Sequence, residues 1–397
     1  IFSYQTNLNT VKNKFLEIKK NTKVKILFDL LNQYNKKSQI RYVGGCVRKI
    51  LNNEEVDDID LATNIIPEEL IHILKKNKIN YFDAGISHGT ITAILEKKNF
   101  EITTLRKDIL TDGRHAKVEF SDSWIEDASR RDFTINCIYA DYEGNLFDPF
   151  NGKKDLEEGK ITFIGDPEKR IQEDYLRILR YVRFFLNYSK QKHDKHVKKI
   201  IKQNITGVKN LSNERLLDEL KKLLTSKGFL KINNDEFCKE VILLIFPQLK
   251  NIQLFNNLNT YAKKLYLSQN FIFLISLLII DDTDNSEYFL YKFNLSNDDK
   301  KKIKFLNEIF LKKNNKIFNE KNLWEIFYYK GKDDLIDMLK FEIFKSKKTN
   351  KKLIKLLDFF QVQNKPIFPI NGKDLILKYN LKEGRELGEK LKKIENI

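Results

Sequence analysis

Tyr42-Val43-Gly44-Gly45-Cys46-Val47-Arg48, followed ten residues later by Asp58-Ile59-Asp60, is the stretch on which the reading of this chain turns. An apolar run that ends in two glycines makes a turn whose backbone N–H groups can approach a phosphate closely. Asp58 and Asp60 alternate about Ile59, so on a strand both carboxylates leave the same face. Alone, a Gly-Gly pair is a turn and an Asp-x-Asp a solvated loop. The ordered pair at this spacing points to metal-assisted chemistry on a nucleoside triphosphate.

Around that stretch the pattern alternates between helix and strand. Residues 12–35 read as one helix and Ile40 to Val43 as a strand entering the Gly-Gly turn. Val47 to Leu51 opens a helix, and Asp58 to Ala62 is a second strand. Pro67 suits the first turn of another helix. Strands follow at Gly89 to Leu95, Phe100 to Leu105 and Lys117 to Phe120, with a charged turn before Lys98 closing a hairpin. Asp122 to Arg130 reads as a short helix, and Asp148-Pro149-Phe150-Asn151-Gly152 as a loop. Beyond about residue 168 the pattern is helical throughout, and most of the 15 glycines precede that point. The expected class is α+β: a mixed-sheet head over residues 1–165, a helical neck over 166–260, and a helical body and tail over 261–397.

The net charge of +17 is unevenly placed. Residues 1–189 hold 30 Lys and Arg against 29 Asp and Glu, whereas residues 190–397 hold 42 against 26. The basic excess of the second half fits contact with a polyanion. Its basic residues are lysines apart from Arg215 and Arg385, which suits a phosphate backbone better than base edges. No apolar run reaches the roughly 20 residues that span a bilayer; Phe271 to Ile280 reads as a buried helix. Cys46, Cys137 and Cys238 are far apart, with no metal-ligand spacing or disulfide framework, which suggests reduced thiols in a cytoplasmic protein. His193-Asp194 and His196 lie in a Lys-rich stretch without the second His-Asp set that a metal hydrolase needs.

Three further groups carry chemistry. Glu101, on a later strand, is a candidate third carboxylate beside Asp58 and Asp60, or an exposed strand charge. Arg130-Arg131 can grip a triphosphate with paired N–H donors. The segment Glu173-Asp174-Tyr175-Leu176-Arg177-Ile178-Leu179-Arg180-Tyr181-Val182-Arg183-Phe184 places Asp174, Arg177, Arg180 and Arg183 at intervals of three, a single stripe if the segment is one helix. An Asp acceptor beside Arg donors can read the amine and ring edge shared by cytosine and adenine, selecting CTP and ATP without a template.

With these motifs in order, the chain resembles the class II tRNA nucleotidyltransferases and bacterial poly(A) polymerases, a branch of the polymerase-β-like superfamily. The resemblance rests on Gly44-Gly45-Cys46-Val47-Arg48 with Asp58-Ile59-Asp60-Leu61-Ala62-Thr63, on Arg130-Arg131-Asp132-Phe133-Thr134-Ile135-Asn136, on Asp148 to Gly152, on Glu173 to Arg183, and on Glu214-Arg215-Leu216 with Glu219-Leu220. It is continuous over about residues 40–225 and faint beyond, where Pro369 to Leu375 is similar to a tail element. It implies a polymerase-β-like head that holds Mg²⁺ on Asp58 and Asp60. It implies nucleotide contacts from Gly44, Gly45, Arg48, Arg131, Asp174, Arg177, Arg180 and Arg183. It also implies a flexible loop from Leu105 to Arg114 that switches addition from C to A. Lys49 stands where this family usually has Asp.

The resemblance implies an enzyme that adds C, C and A to tRNA 3′ ends from CTP and ATP. Poly(A) synthesis and partial addition of CC or A are the nearest alternatives, and a non-catalytic RNA-binding protein is another. The stretch Ala84 to Thr90, where poly(A) polymerases of this family tend to be Arg-rich, favours CCA addition.

Overall fold

The computed structural model describes residues 2–110, 117–312, 318–380 and 382–395. It divides into two compact units, Ile1–Pro247 and Gln248–Ile397.

The first unit opens with helices α1 (Phe2–Asn21) and α2 (Val24–Asn32). The single helix expected over 12–35 is therefore two: at the break the Val24 N–H donates to the Thr22 hydroxyl at 3.4 Å, and that hydroxyl donates to the Ile18 carbonyl at 2.7 Å. Strands β1 (Ile40–Val43) and β2 (Ile59–Thr63) flank α3 (Gly45–Leu51), and α4 (Pro67–Lys76) leads to β3 (Asn80–Phe82), β4 (Thr90–Leu95) and β5 (Lys98–Thr104). The short β3 was not expected: its three residues present no alternation long enough to read. The ribbon β6 (Arg106–Leu110) and β7 (Lys117–Phe120) follows, then α5 (Trp124–Ser129), β8 (Tyr139–Ala140), β9 (Leu146–Phe147) and α6 (Gly152–Glu158).

The main sheet has seven strands in the order β3-β4-β5-β2-β1-β8-β9. Only β2 and β5 pair in parallel; the others are antiparallel, which makes the sheet mixed as expected. Its register sets Asp60 opposite Glu101. Leu61, Ile91 and Ile102 on the opposite pleat are fully buried with Phe28, Tyr42 and Leu70 in the core between sheet and helices. Alternation along β2 thus puts Leu61 into the core and Asp60, half-buried, on the opposite face.

Two glycines are dictated by the backbone. Gly44, at φ +65°, makes the turn between β1 and α3. Gly152 packs so tightly that a Cβ there would lie 2.0 Å from the Thr134 carbonyl oxygen.

The chain then becomes helical: α7 (Pro167–Glu173), α8 (Leu176–Tyr188), α9 (Lys195–Asn204), α10 (Asn213–Leu224) and α11 (Glu236–Ile245) complete the first unit. The second unit is helical too. Its helix Phe271–Ile279 is buried on nearly every side, as its composition predicts. Gly372–Tyr379 begins in a capping box, with Asn371 and Asp374 bonding reciprocally to backbone N–H groups. Among the described residues, no helix is long and apolar enough to cross a membrane.

Candidate active site

An open pocket of about 1170 Å³ lies in the first unit between the sheet and the helices α8 and α10. Every residue expected from the sequence to bind the metal or the nucleotide lines it: Gly44, Gly45, Arg48, Asp58, Asp60 and Glu101 from the head, Arg131 from the loop after α5, and Asp174, Arg177, Arg180 and Arg183 from the neck.

The acidic end is built by the sheet. Asp60 is carried by β2, with Glu101 beside it on the parallel neighbour β5. Asp58 falls one residue before β2 and is exposed, so the strand expected from Asp58 begins at Ile59. Burial, with Glu101 and Asp58 nearby, raises the Asp60 carboxyl above its ordinary value, against the pull of Arg131 and Arg48. Carboxylates that repel one another across an open pocket form a hard-oxygen donor set suited to a divalent cation. Gly45 lies beside this end: a Cβ there would be in ordinary contact with Asp60 Oδ2, at 3.5 Å.

A cationic wall faces it. Arg48 is only 8% exposed; it donates to the Asn136 side chain and packs over the rings of Phe184 and Tyr188, with 4.8 and 5.0 Å to their centroids. Its Nε is buried with no hydrogen-bond partner among the described residues. Arg131 is held by the buried Asp127, whose Oδ2 accepts from Arg131 Nε and Nη2 at 3.2 and 3.1 Å. Asp127 Oδ1 accepts from Arg130, and the Tyr139 hydroxyl adds a bond at 2.7 Å. Burial raises the Asp127 carboxyl, but the two guanidinium groups and Tyr139 outweigh it and hold the group at about 2.

The neck stripe differs from the expected single helix. Helix α7 stops at Glu173, Asp174 is extended with φ −155° and ψ 102°, and α8 starts at Leu176. Asp174 Oδ1 accepts from the Leu176 backbone N–H at 3.1 Å, and this local bond replaces the helical ladder. Asp174 Oδ2 accepts from Arg215 Nη2 at 2.8 Å. Arg177 turns its Nη1 to the Arg170 carbonyl and Glu173, at 2.6 and 2.7 Å, and its Nη2 to the Arg130 carbonyl at 3.3 Å. Arg180 bonds Asp132 at 2.6 Å, and Arg183 bonds the buried Glu219 at 2.5 Å. Apart from Arg177, each cation of the stripe is thus anchored by an acid distant in sequence.

Asp127, Asp132, Arg215 and Glu219 are the site residues that sequence reasoning did not assign. The last three lie inside quoted motifs, and only the tertiary fold shows what they hold. Lys49 pairs with Asp57 at 2.9 Å, so its charge meets the acid that precedes Asp58. The expected loop from Leu105 to Arg114 is in part the β6–β7 ribbon, with Lys107 opposite Glu119 in register; residues 111–116 of it lie outside the described residues.

Residues 40–162 match a family model described as the poly A polymerase head domain, and residues 266–397 match one described as tRNA nucleotidyltransferase domain 2, putative. The CCA-adding enzyme of Streptococcus uberis is 30% identical over 359 residues, covering 89% of this chain and 87% of that relative. The chain belongs to the CCA-adding enzyme family. The resemblance read from the motifs is borne out. The human mitochondrial CCA tRNA nucleotidyltransferase 1 is 47% identical over 189 residues, 47% of this chain and 44% of the relative. Matches to such relatives therefore span less than half of their length. Among solved structures, the Bacillus stearothermophilus CCA-adding enzyme in complex with CTP superposes with a TM-score of 0.70 at 23% identity, over 92% of this chain and 89% of that one, so the two share a fold.

Proposed function

We propose that this protein adds C, C and A to the 3′ end of tRNA from CTP and ATP without a nucleic-acid template. The observation that carries the reading is the meeting, in one pocket, of an acidic end (Asp58, Asp60, Glu101) with a polar neck wall (Asp174, Arg177) across a row of arginines. A relative 30% identical over most of both chains is named a CCA-adding enzyme, which supports the same reading.

In this reaction the primer 3′-hydroxyl gives its proton to solvent as its oxygen forms a bond to the α-phosphorus, the α–β phosphoanhydride breaks, and pyrophosphate leaves. Asp58 and Asp60 would hold Mg²⁺, which when bound supplies charge neutralisation at the reacting oxygens. Glu101 adds negative charge beside Asp60. The Gly44-Gly45 turn keeps bulk away from the triphosphate path, and Arg48 and Arg131 face its negative charge. Asp174 accepts from the exocyclic amine of cytosine or adenine. At least three of the five Arg177 N–H donors are held by protein acceptors, which orients the remaining edge toward the base. Arg180 and Arg183 keep the pocket cationic. Residues 166–260 then act as the nucleotide-selecting neck, and the basic residues 261–397 hold the tRNA by its backbone.

Incubating the protein with tRNA lacking CCA and with each nucleotide in turn tests the assignment. Two C additions followed by one A support it. Long A tracts without C identify a poly(A) polymerase, and tRNA binding without incorporation identifies a non-catalytic protein. Full turnover by Asp58→Ala refutes the metal assignment.

A further inference from the structure

A second cluster of chemically capable side chains lies in the neck, and none of its members lines the catalytic pocket. His193 is in the connection between α8 and α9; Asp235 caps α11, and Cys238 lies in the first turn of that helix. Each brings one ligand atom to within 4.8 Å of the others. The two Asp235 oxygens are 3.0 and 2.9 Å from His193 Nε2, and Cys238 Sγ is 3.7 Å from the same nitrogen.

The imidazole is fixed from all sides. Its Nδ1 meets the Tyr181 hydroxyl at 2.9 Å. The ring stacks on Phe185 with 3.5 Å between centroids and meets Phe237 edge-on at 4.8 Å. A histidine that ligates a metal needs its other nitrogen engaged in this way, because that bond selects the tautomer whose remaining lone pair faces the ion. Without an ion, Nε2–H donates to Asp235 and Nδ1 accepts from Tyr181. With an ion bound, the proton sits on Nδ1 and donates to Tyr181, and the Nε2 lone pair faces the ion between the carboxylate and the thiol.

We propose that His193, Asp235 and Cys238 form a binding site for a borderline-soft divalent transition-metal ion of the Zn²⁺ class, joining the α8–α9 connection to α11. Zn–N and Zn–O bonds of about 2.0 Å and a Zn–S bond of about 2.3 Å in a tetrahedron put nitrogen and sulfur about 3.5 Å apart and nitrogen and oxygen about 3.3 Å apart. The nitrogen–sulfur distance already fits, and the carboxylate retreats by about 0.4 Å once the ion displaces its hydrogen bond. Asp235 Oδ1 also accepts from the Cys238 backbone N–H at 2.8 Å, which leaves Oδ2 as the ligand. The Asp235 side chain is 21% exposed, so the ion can enter there and water can fill the fourth position. Binding releases the Cys238 thiol proton to solvent. Burial holds that thiol well above its ordinary pKa, so the metal-free form is an inert, protonated cysteine and affinity rises with pH.

The full chain, stripped with a chelator and titrated with Co²⁺, tests the proposal. The expected result is a near-ultraviolet thiolate-to-cobalt charge-transfer band and strong visible d–d absorption that saturate at one equivalent. Both are lost in Cys238→Ser and kept in Asp60→Asn. A charge-transfer band that survives in Cys238→Ser, or its absence from the unmutated protein, overturns the site. X-ray absorption of unmutated protein with one equivalent of Zn²⁺ gives the same answer without a variant. One sulfur scatterer at about 2.3 Å supports the site, and a shell of nitrogen and oxygen alone overturns it.

Discussion

Arg180 on α8 donates from Nε to Oδ2 of Asp132, 48 residues earlier, at 2.6 Å, and so fastens the neck to the loop that carries Arg131. Asp132 is 7% exposed, and its carboxyl is held well below the usual range: burial opposes this, but Arg180, Asn136 and the Phe133 N–H prevail. Removing the cation strands a buried charge. Arg180→Ala is expected to cost about 3–5 kcal/mol of folding free energy in urea denaturation. The double variant Asp132→Asn with Arg180→Ala should recover part of that loss. A double variant no more stable than Arg180→Ala would show that the pair is not coupled.

The register that sets Glu101 beside Asp60 predicts a pH effect. Glu101 helps to raise the Asp60 carboxyl, after burial, so Glu101→Gln should lower it. The acid limb of the pH–rate profile for nucleotide incorporation is then displaced to lower pH, because Asp60 keeps its charge further into acid. A limb unmoved by the substitution would separate Glu101 from the titration of Asp60.

Asp127 predicts how the protein responds to acid. Its folded-state carboxyl is held at about 2, below the ordinary aspartate value of 3.8. A depressed folded pKa contributes stability that is complete above the unfolded value and disappears as pH falls through the folded one. The contribution is about 2 kcal/mol, lost between about pH 4 and pH 2. Asp127→Asn should be less stable at pH 7, because Arg130 and Arg131 lose their counter-charge. It should also show a flatter decline over that window when denaturation midpoints are compared at each pH.

How much of this was legible in the sequence depended on the range of the forces involved. Asp60 and its burial pattern were readable because strand alternation is local. The mixed-sheet head followed from short strands and glycines giving way to helical periodicity, but of the seven main-sheet strands only β1, β2, β4 and β5 were legible; β3, β8 and β9, of two or three residues each, are too short to show alternation. The break at Asp174 was hidden because the apolar spacing runs on from Ile171 to Leu186 without interruption, and one side-chain bond to the Leu176 N–H decides the conformation. The anchors of the arginines were hidden for another reason. Glu219 meets Arg183 across 36 residues and Asp132 meets Arg180 across 48, and no periodicity encodes such pairings. Asp60 and Glu101, which were legible, line the pocket from β2 and β5, whereas the missed Asp127 and Glu219 hold their arginines from outside the pocket lining.

Arg215 is the anchor whose removal should touch specificity. It donates from α10 to Asp174 Oδ2 at 2.8 Å, while the Leu176 N–H holds Oδ1 at 3.1 Å, so two bonds fix the carboxylate proposed to accept the base amine. The ion pair is partly exposed, with side-chain accessibilities of 37% and 26%, so its loss should leave global stability nearly unchanged. In Arg215→Ala the Asp174 carboxylate is freed to rotate. The KM for CTP and ATP should rise by about tenfold, equivalent to about 1.4 kcal/mol, with a smaller change in kcat. The preference for CTP over UTP should fall, because the acceptor that distinguishes an amine from a carbonyl is no longer held in place. Competition between CTP and UTP on one tRNA measures this directly. A variant that loses stability and kcat while its CTP preference stays intact would make Arg215 a structural brace and leave the positioning of Asp174 to Leu176 alone.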